Sequence, residues 1–403
     1  MTLCRFEDRL AGRALALHEP CGRVEARSAA ELPAAFAAIE DARRAGRWAA
    51  LLLDYELGEW LEPAVAQPPA AATASPTASL PLPASAATVQ STGSRPALAQ
   101  AAAARRPLLT ALLFDRAGHE APWPEPAGND AQAPAVTGVS PRTARADYLR
   151  AVQDIRGLIA DGEVYQVNYT LRQEAAVHGP LADLYRRIAN AHPSAHAAYI
   201  EDAGRTVLSF SPELFLRRRG PVLTTRPMKG TAPRHPDPAR DMALGQELQA
   251  SAKNRAENLM IVDLLRNDLG RLARPGSVRV ESLFELERYP SIWTLTSTVS
   301  ADAPDATLAE VLAALFPCGS VTGAPKIAAM RRIRQMEPEP RGLYCGSVGW
   351  LAPDGDFSLN VAIRTLVVDA NGRGTYGVGG GIVADSDPEQ EWLECGWKSR
   401  ILA

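Results

Sequence analysis

Three charged side chains near the C-terminus stand where they could act together. Glu391, Glu394 and Lys398 follow at spacings of three and four, so a helix would carry two carboxylates and an ammonium on one face. Asp387 is a good cap and Pro388 suits a first turn, so the helix is expected to open there. Just upstream, the strand-like run 376–382 holds three consecutive glycines, Gly379, Gly380 and Gly381. Such a triple weakens a strand and points to a ligand or a neighbouring segment lying close to the backbone. Spacing alone also fits a solvated helix face, because a like-charged pair so placed costs only about 0.2–0.5 kcal/mol. As a site, it suits a hard cation between carboxylates beside an anionic ligand.

Other residues offer complementary chemistry. Asn254 and Glu257 lie three apart on one face of an expected helix, away from the apolar stripe of Leu259, Val262, Leu265 and Leu269. Two helices offering polar oxygens could complete a cage for magnesium. Lys229 sits in a loop between Pro227 and Gly230. It is either a solvated charge or a nucleophile, and the second role requires its ordinary pKa of about 10.4 to fall or a base to take its proton. Glu213 is the nearest such base in the sequence. Arg364, in the apolar run 360–366, needs a carboxylate from a side chain or a substrate. The 319–326 turn departs from phosphate-loop spacing, and the triple glycine is no dinucleotide fingerprint. Cys318 lacks any histidine within reach in the sequence, which argues against a thiol nucleophile.

To position these groups the chain has 403 residues, enough for a large core. A net charge of −3 with mixed signs excludes a basic nucleic-acid surface. No apolar run is long enough to span a membrane, and the acidic N-terminus is unlike a signal peptide, so a cytoplasmic protein is expected. Five scattered cysteines imply neither a disulfide framework nor a zinc cluster.

Residues 1–144 read as an N-terminal α/β portion interrupted by an Ala/Pro-rich insertion at about 64–106, whose few large apolar side chains leave little to offset ordering. Residues 145–403 read as a denser catalytic domain. It should open with a helix ending at Gly162 and continue with strands at 164–170, 197–201, 206–210, 214–219 and 222–225. One long helix over 241–269 follows, then two shorter helices, a three-strand meander and the helix at Asp387. Clustered strands and helices without strict alternation indicate an α+β fold.

Taken together, segments 161–170, 209–215, 226–231, 256–271, 318–326, 344–350, 360–364 and 379–394, with Lys398, resemble the chorismate-utilising enzymes. The N-terminal portion resembles the short N-terminal part of the same family. The resemblance implies one globular unit in which two β-sheets pack between outer helices, with chorismate and Mg2+ in a cleft. It implies Glu257, Glu394 and Glu391 as metal ligands, and Tyr344, Arg364, Gly379, Gly380, Gly381 and Lys398 as holders of substrate carboxylates. Gly230 and Thr231 would line the ring. Lys229 as nucleophile and Glu213 as acid are implied for the branch that aminates C4, whereas relatives aminating C2 typically carry alanine at the lysine position. Thr294 agrees with the C4 branch. Asn254, acidic in many relatives, departs from the pattern. A tryptophan pocket has no clear counterpart, Ala195 and His196 standing where relatives have a proline-aromatic pair. A separate glutamine amidotransferase is the implied ammonia source, and the implied product feeds 4-aminobenzoate and folate synthesis. Amination at C2, hydration, and a non-catalytic role on the same fold are the alternatives.

Overall fold

A computed structural model describes residues 2–66, 106–126, 134–290 and 292–402. The Ala/Pro-rich insertion expected at 64–106 falls almost wholly outside them. Eighteen strands among the described residues join in one hydrogen-bonded network. The two expected sheets are present as layers of that network, and one strand joins them. Arg13–Ala26 pairs with Cys4–Asp8 in one layer and with Leu109–Glu120 in the other, with a register shift between Pro20 and Gly22. A bulge of this kind lets a strand bend between layers.

Strand Trp48–Leu53 explains why the N-terminal run is apolar without alternation. Ala50 and Leu52 enter a core shared with Phe6, Leu17, Ile200 and Val348 from both layers, while Leu51 and Leu53 join the larger core. Both faces are buried, so every position favours an apolar side chain. The strand pairs with Leu109–Glu120 and with Ser347–Leu351.

Several elements differ from expectation. The long helix over 241–269 is two helices, Pro238–Ala250 and Ala252–Gly270, divided at Ser251, whose extended backbone and side-chain acceptance from the Asn254 amide make it a cap. Strands Ala135–Pro141, Arg279–Arg288 and Ile292–Asp302 were not expected. The expected three-strand meander is instead two hairpins, Ser347–Leu351 with Phe357–Asn360 and Thr365–Asp369 with Arg373–Ile382, each pairing onward with a different strand, Leu214–Arg219 and Arg205–Ser211. In Arg279–Arg288 charged residues alternate with half-buried ones, and Ile292–Asp302 interleaves threonine and serine with apolar residues, so neither carries a simple apolar period. No helix among the described residues is long and apolar enough to cross a membrane.

Candidate active site

The glycine strand Arg373–Ile382 pairs antiparallel with Gln166–His178, placing Gly379, Gly380 and Gly381 opposite Thr170, Tyr169 and Asn168. Helix Pro388–Ser399 packs against this strand, opened by Asp387, whose side chain accepts from the Gln390 amide at 2.9 Å. The glycines allow the helix's acidic face to lie on the strand. A Cβ on Gly380 would stand 2.8 Å from Glu391 Oε2 and 3.9 Å from Glu394 Oε1. Glu391 is steadied by Ser386, whose hydroxyl donates to it at 2.7 Å. Lys398 Nζ lies 2.6 Å from Glu394 Oε1 and donates to the Gly379 carbonyl at 2.7 Å.

Helix Ala252–Gly270 brings Glu257 to the same space. It rests on strands Met228–Pro233 and Ile292–Asp302, where Asn258 accepts from Ser297 Oγ at 2.6 Å. The Glu257 carboxyl is held above its ordinary pKa, first by burial and then by Asp385 and Glu394, against the pull of Lys229 and Lys253. Glu391 is raised likewise, by burial first, with Glu394 and Glu257 adding to it and Ser386 opposing. These carboxylates therefore share one electrostatic environment, and their hard oxygens suit magnesium. Among the described residues no three acidic, histidine or cysteine side chains stand close enough to hold an ion as they are. Glu394 is engaged by Lys398, so a cation would enter by displacing that pair.

Lys229 lies on Met228–Pro233, and its register slips against Ile292–Asp302 between Lys229 and Thr231. Gly230 sits in the slip with φ at 80°, a conformation that glycine adopts without strain. The Lys229 amine donates to the buried Ser320 carbonyl at 3.1 Å. Burial lowers its pKa, while Glu213 and Glu257 draw it back up. Glu213 is 3% exposed, and burial raises its carboxyl, against a hydrogen bond from Ser320 and the charge of Lys229. The point 3.4 Å from Lys229 Nζ where a Gly381 Cβ would stand is only 1.9 Å from the Gln166 amide nitrogen, so the lysine reaches the glycine strand.

Other expected residues are placed less uniformly. Gly230 backs onto Asn254, and its carbonyl accepts from Thr294 at 2.9 Å. Thr231 is exposed. Arg364 does not sit mid-strand: it precedes Thr365–Asp369 with φ at 49°, its carbonyl accepting from the Phe210 amide at 3.0 Å. No carboxylate among the described residues pairs with its guanidinium, which lies near the neutral phenols of Tyr376 and Tyr289, and burial lowers its pKa. Tyr344 packs on Gly377 and lines a cavity of about 840 Å³ with Glu56, Arg172 and Arg341, a space that none of the other expected site residues lines.

Ser320, Ser386 and Gln166 belong to the site and were not singled out beforehand. All lie within or beside the motif segments, but serine and glutamine carry no charge or spacing signal that reveals a role. The five cysteines are free, and Cys318 is buried beside Ser320 at 3.2 Å.

A family model described as chorismate binding enzyme matches residues 6–403. Anthranilate synthase component 1 of Streptomyces coelicolor is 43% identical over 261 residues, 64% of this chain and 50% of that protein. Aminodeoxychorismate synthase component 1 of Salmonella typhimurium is 42% identical over 251 residues, covering 62% and 55%. The aligned part thus spans about half the length of these relatives. Among solved structures, anthranilate synthase component I from Streptococcus pneumoniae superposes with a TM-score of 0.77 at 23% identity, covering 97% of this chain and 92% of that one. The menaquinone-specific isochorismate synthase from Escherichia coli gives 0.73 at 18%, covering 100% and 89%. These structural likenesses speak to the fold, which agrees with the layered α+β arrangement described above. With a family model spanning nearly its whole length, the chain belongs to the chorismate binding enzymes.

Proposed function

We propose that this protein converts chorismate and ammonia to 4-amino-4-deoxychorismate, with Mg2+ as cofactor and a separate glutamine amidotransferase as ammonia source. The observation that carries the reading is Lys229, an inward-turned amine whose pKa burial lowers, with Glu213 and Glu257 nearby. Similarity to aminodeoxychorismate synthase component 1 of several bacteria supports it. Amination at C2 is the second reading, favoured by the 43% identity to an anthranilate synthase component 1.

In the proposed reaction the neutral Lys229 amine attacks C2 of chorismate, the ring double bond shifts, and the C4 hydroxyl leaves as water with a proton from Glu213. Ammonia then bonds to C4, the double bond shifts back and the lysine leaves C2 as the amine. Two displacements replace one poor one. Arg364, lacking a carboxylate partner, is available for a substrate carboxylate. Glu257, Glu391 and Glu394 would hold magnesium, which supplies positive charge near a substrate carboxylate when bound. Incubating the protein with chorismate, magnesium and ammonium salt and identifying the product by mass spectrometry tests the reading. 4-Amino-4-deoxychorismate is expected, and 2-aminobenzoate formed directly would replace the first reading by the second.

A further inference from the structure

Gln166 opens strand Gln166–His178, is 1% exposed, and has its backbone paired with Ala324. The two chains are clamped together: a Cβ on Gly323 would stand 2.1 Å from the Gln166 carbonyl oxygen. From this fixed backbone the side chain crosses to the glycine strand. The point where a Gly381 Cβ would stand lies 1.9 Å from its Nε2 and 3.4 Å from Lys229 Nζ. The amide thus fills space that only glycine leaves open, next to the Lys229 amine. Nothing polar holds it there. Among the described residues its Oε1 is buried without a hydrogen-bond partner, and its Nε2 donates to no acceptor. Buried amides are nearly always hydrogen-bonded, because burial without a partner forfeits the bonds they make to water. An amide kept in that state beside a buried lysine fits partners that a ligand brings.

We propose that Gln166 is a further substrate-binding residue, its amide nitrogen donating to the ring carboxylate of chorismate. The inference rests on the substrate and on the place given to Lys229 above. In that reading Lys229 attacks C2, and the ring carbon next to C2 carries this carboxylate. A donor beside Lys229 Nζ is therefore beside the carboxylate as well. The residue type suits the task. The amide nitrogen offers two N–H groups, and a carboxylate is a pure acceptor with lone pairs to spare when a metal takes some of them. The amide is also neutral. A cation in its place would be drawn to the acidic side chains of the site, as Lys398 is to Glu394, whereas glutamine stays free for the ligand.

The test is chorismate affinity by calorimetry, with magnesium and without ammonia, on the full-length native protein and on Gln166→Met, which keeps the length of the side chain and removes the amide. Affinity should fall about tenfold or more, the loss expected for one hydrogen bond to a charged group. The melting temperature of the free variant should equal or exceed the native value, because an amide without partners gives way to an apolar group of similar size. That second readout separates substrate binding from support of the fold. Gln166→Leu, of different shape, guards against a poor fit of methionine. Loss of stability in both variants would mean that the amide supports the fold, and it overturns the proposal, as does an affinity within twofold of native in whichever variant folds. Gln166→Glu, which sets a carboxylate against that of the substrate, should lose more affinity than Gln166→Met. A smaller loss would mean that the side chain meets a donor, and overturns the carboxylate contact. Binding is read without ammonia and does not depend on the product, so 2-aminobenzoate formed by the native protein would sink the C4 reading while leaving Gln166 decided on affinity.

Discussion

The Lys398 ammonium lies 2.6 Å from the Glu394 carboxylate one helical turn before it, and the same nitrogen donates to the Gly379 carbonyl. Both side chains are more than a third exposed, at 38% and 42%, so the pair is worth only about 0.3–0.5 kcal/mol and opens easily. It nonetheless competes with any cation seeking Glu394. Lys398→Met should bind magnesium several-fold more tightly without chorismate, while KM for chorismate rises about tenfold or more through loss of a charged contact. Calorimetric titration giving equal magnesium affinity in both proteins would remove the competition.

Lys229→Ala should abolish amination at C4. Loss of a nucleophile that splits the displacement in two is expected to lower kcat by about 10²–10⁴, a range like that for other positioned catalytic groups. Mass-spectrometric product analysis with ammonium salt checks it, and retention of native turnover would leave Lys229 a merely buried charge.

Glu213 links the site to stability. Its folded-state pKa is raised by burial, so the folded chain retains a proton that the unfolded chain loses first. Stability from this group therefore falls as pH rises from the ordinary carboxylate range through the raised value. Glu213→Gln, which cannot ionise, should melt above the native protein at pH 8, with the difference shrinking toward pH 5. Thermal unfolding at the two pH values reads it, and a gap that widens on acidification would contradict the raised pKa.

Gly380→Ala should separate activity from folding. The added methyl meets only the ends of Glu391 and Glu394, flexible side chains that can move aside. The stability loss should stay within about 1 kcal/mol, while the carboxylates are pushed from their positions and activity collapses. Melting temperature and kcat measured on one preparation decide, and native activity in this variant would mean that those carboxylates are not placed by the glycine.

Beneath the large cavity, Glu337 accepts from the Thr170 amide and hydroxyl at 2.9 Å each and pairs with Arg341 at 2.6 Å, both side chains being at most 5% exposed. Removing one partner of such a buried pair leaves an uncompensated charge, so Glu337→Ala should cost about 3–5 kcal/mol. Denaturant unfolding measures it, and a cost under 1 kcal/mol would show that solvent reaches Arg341.

Much of this was legible before any coordinates. The Asp387 cap and the charges at i, i+3 and i+7 located the C-terminal helix, because helical periodicity and capping are local. The apolar strand Trp48–Leu53 shows as a local run of apolar side chains, whereas its pairing with Leu109–Glu120 came only with the tertiary structure. The Ser251 break was not, since residues 241–269 keep a helical composition throughout and only the cap geometry divides them. Strands Arg279–Arg288 and Ile292–Asp302 escaped because charged and hydroxyl side chains dilute their period.

What the sequence determined by itself was the inventory: four carboxylates, two lysines and an arginine set among glycines, on elements whose type follows from short-range pattern. Only the tertiary structure decided who meets whom. Lys229 finds the carbonyl of Ser320, 91 residues away, Arg364 takes a left-handed backbone outside its strand, and Tyr344 lines a cavity that none of the other expected site residues lines. Those outcomes depend on strand register and on how two sheet layers are joined, and these are set by the burial of the whole core.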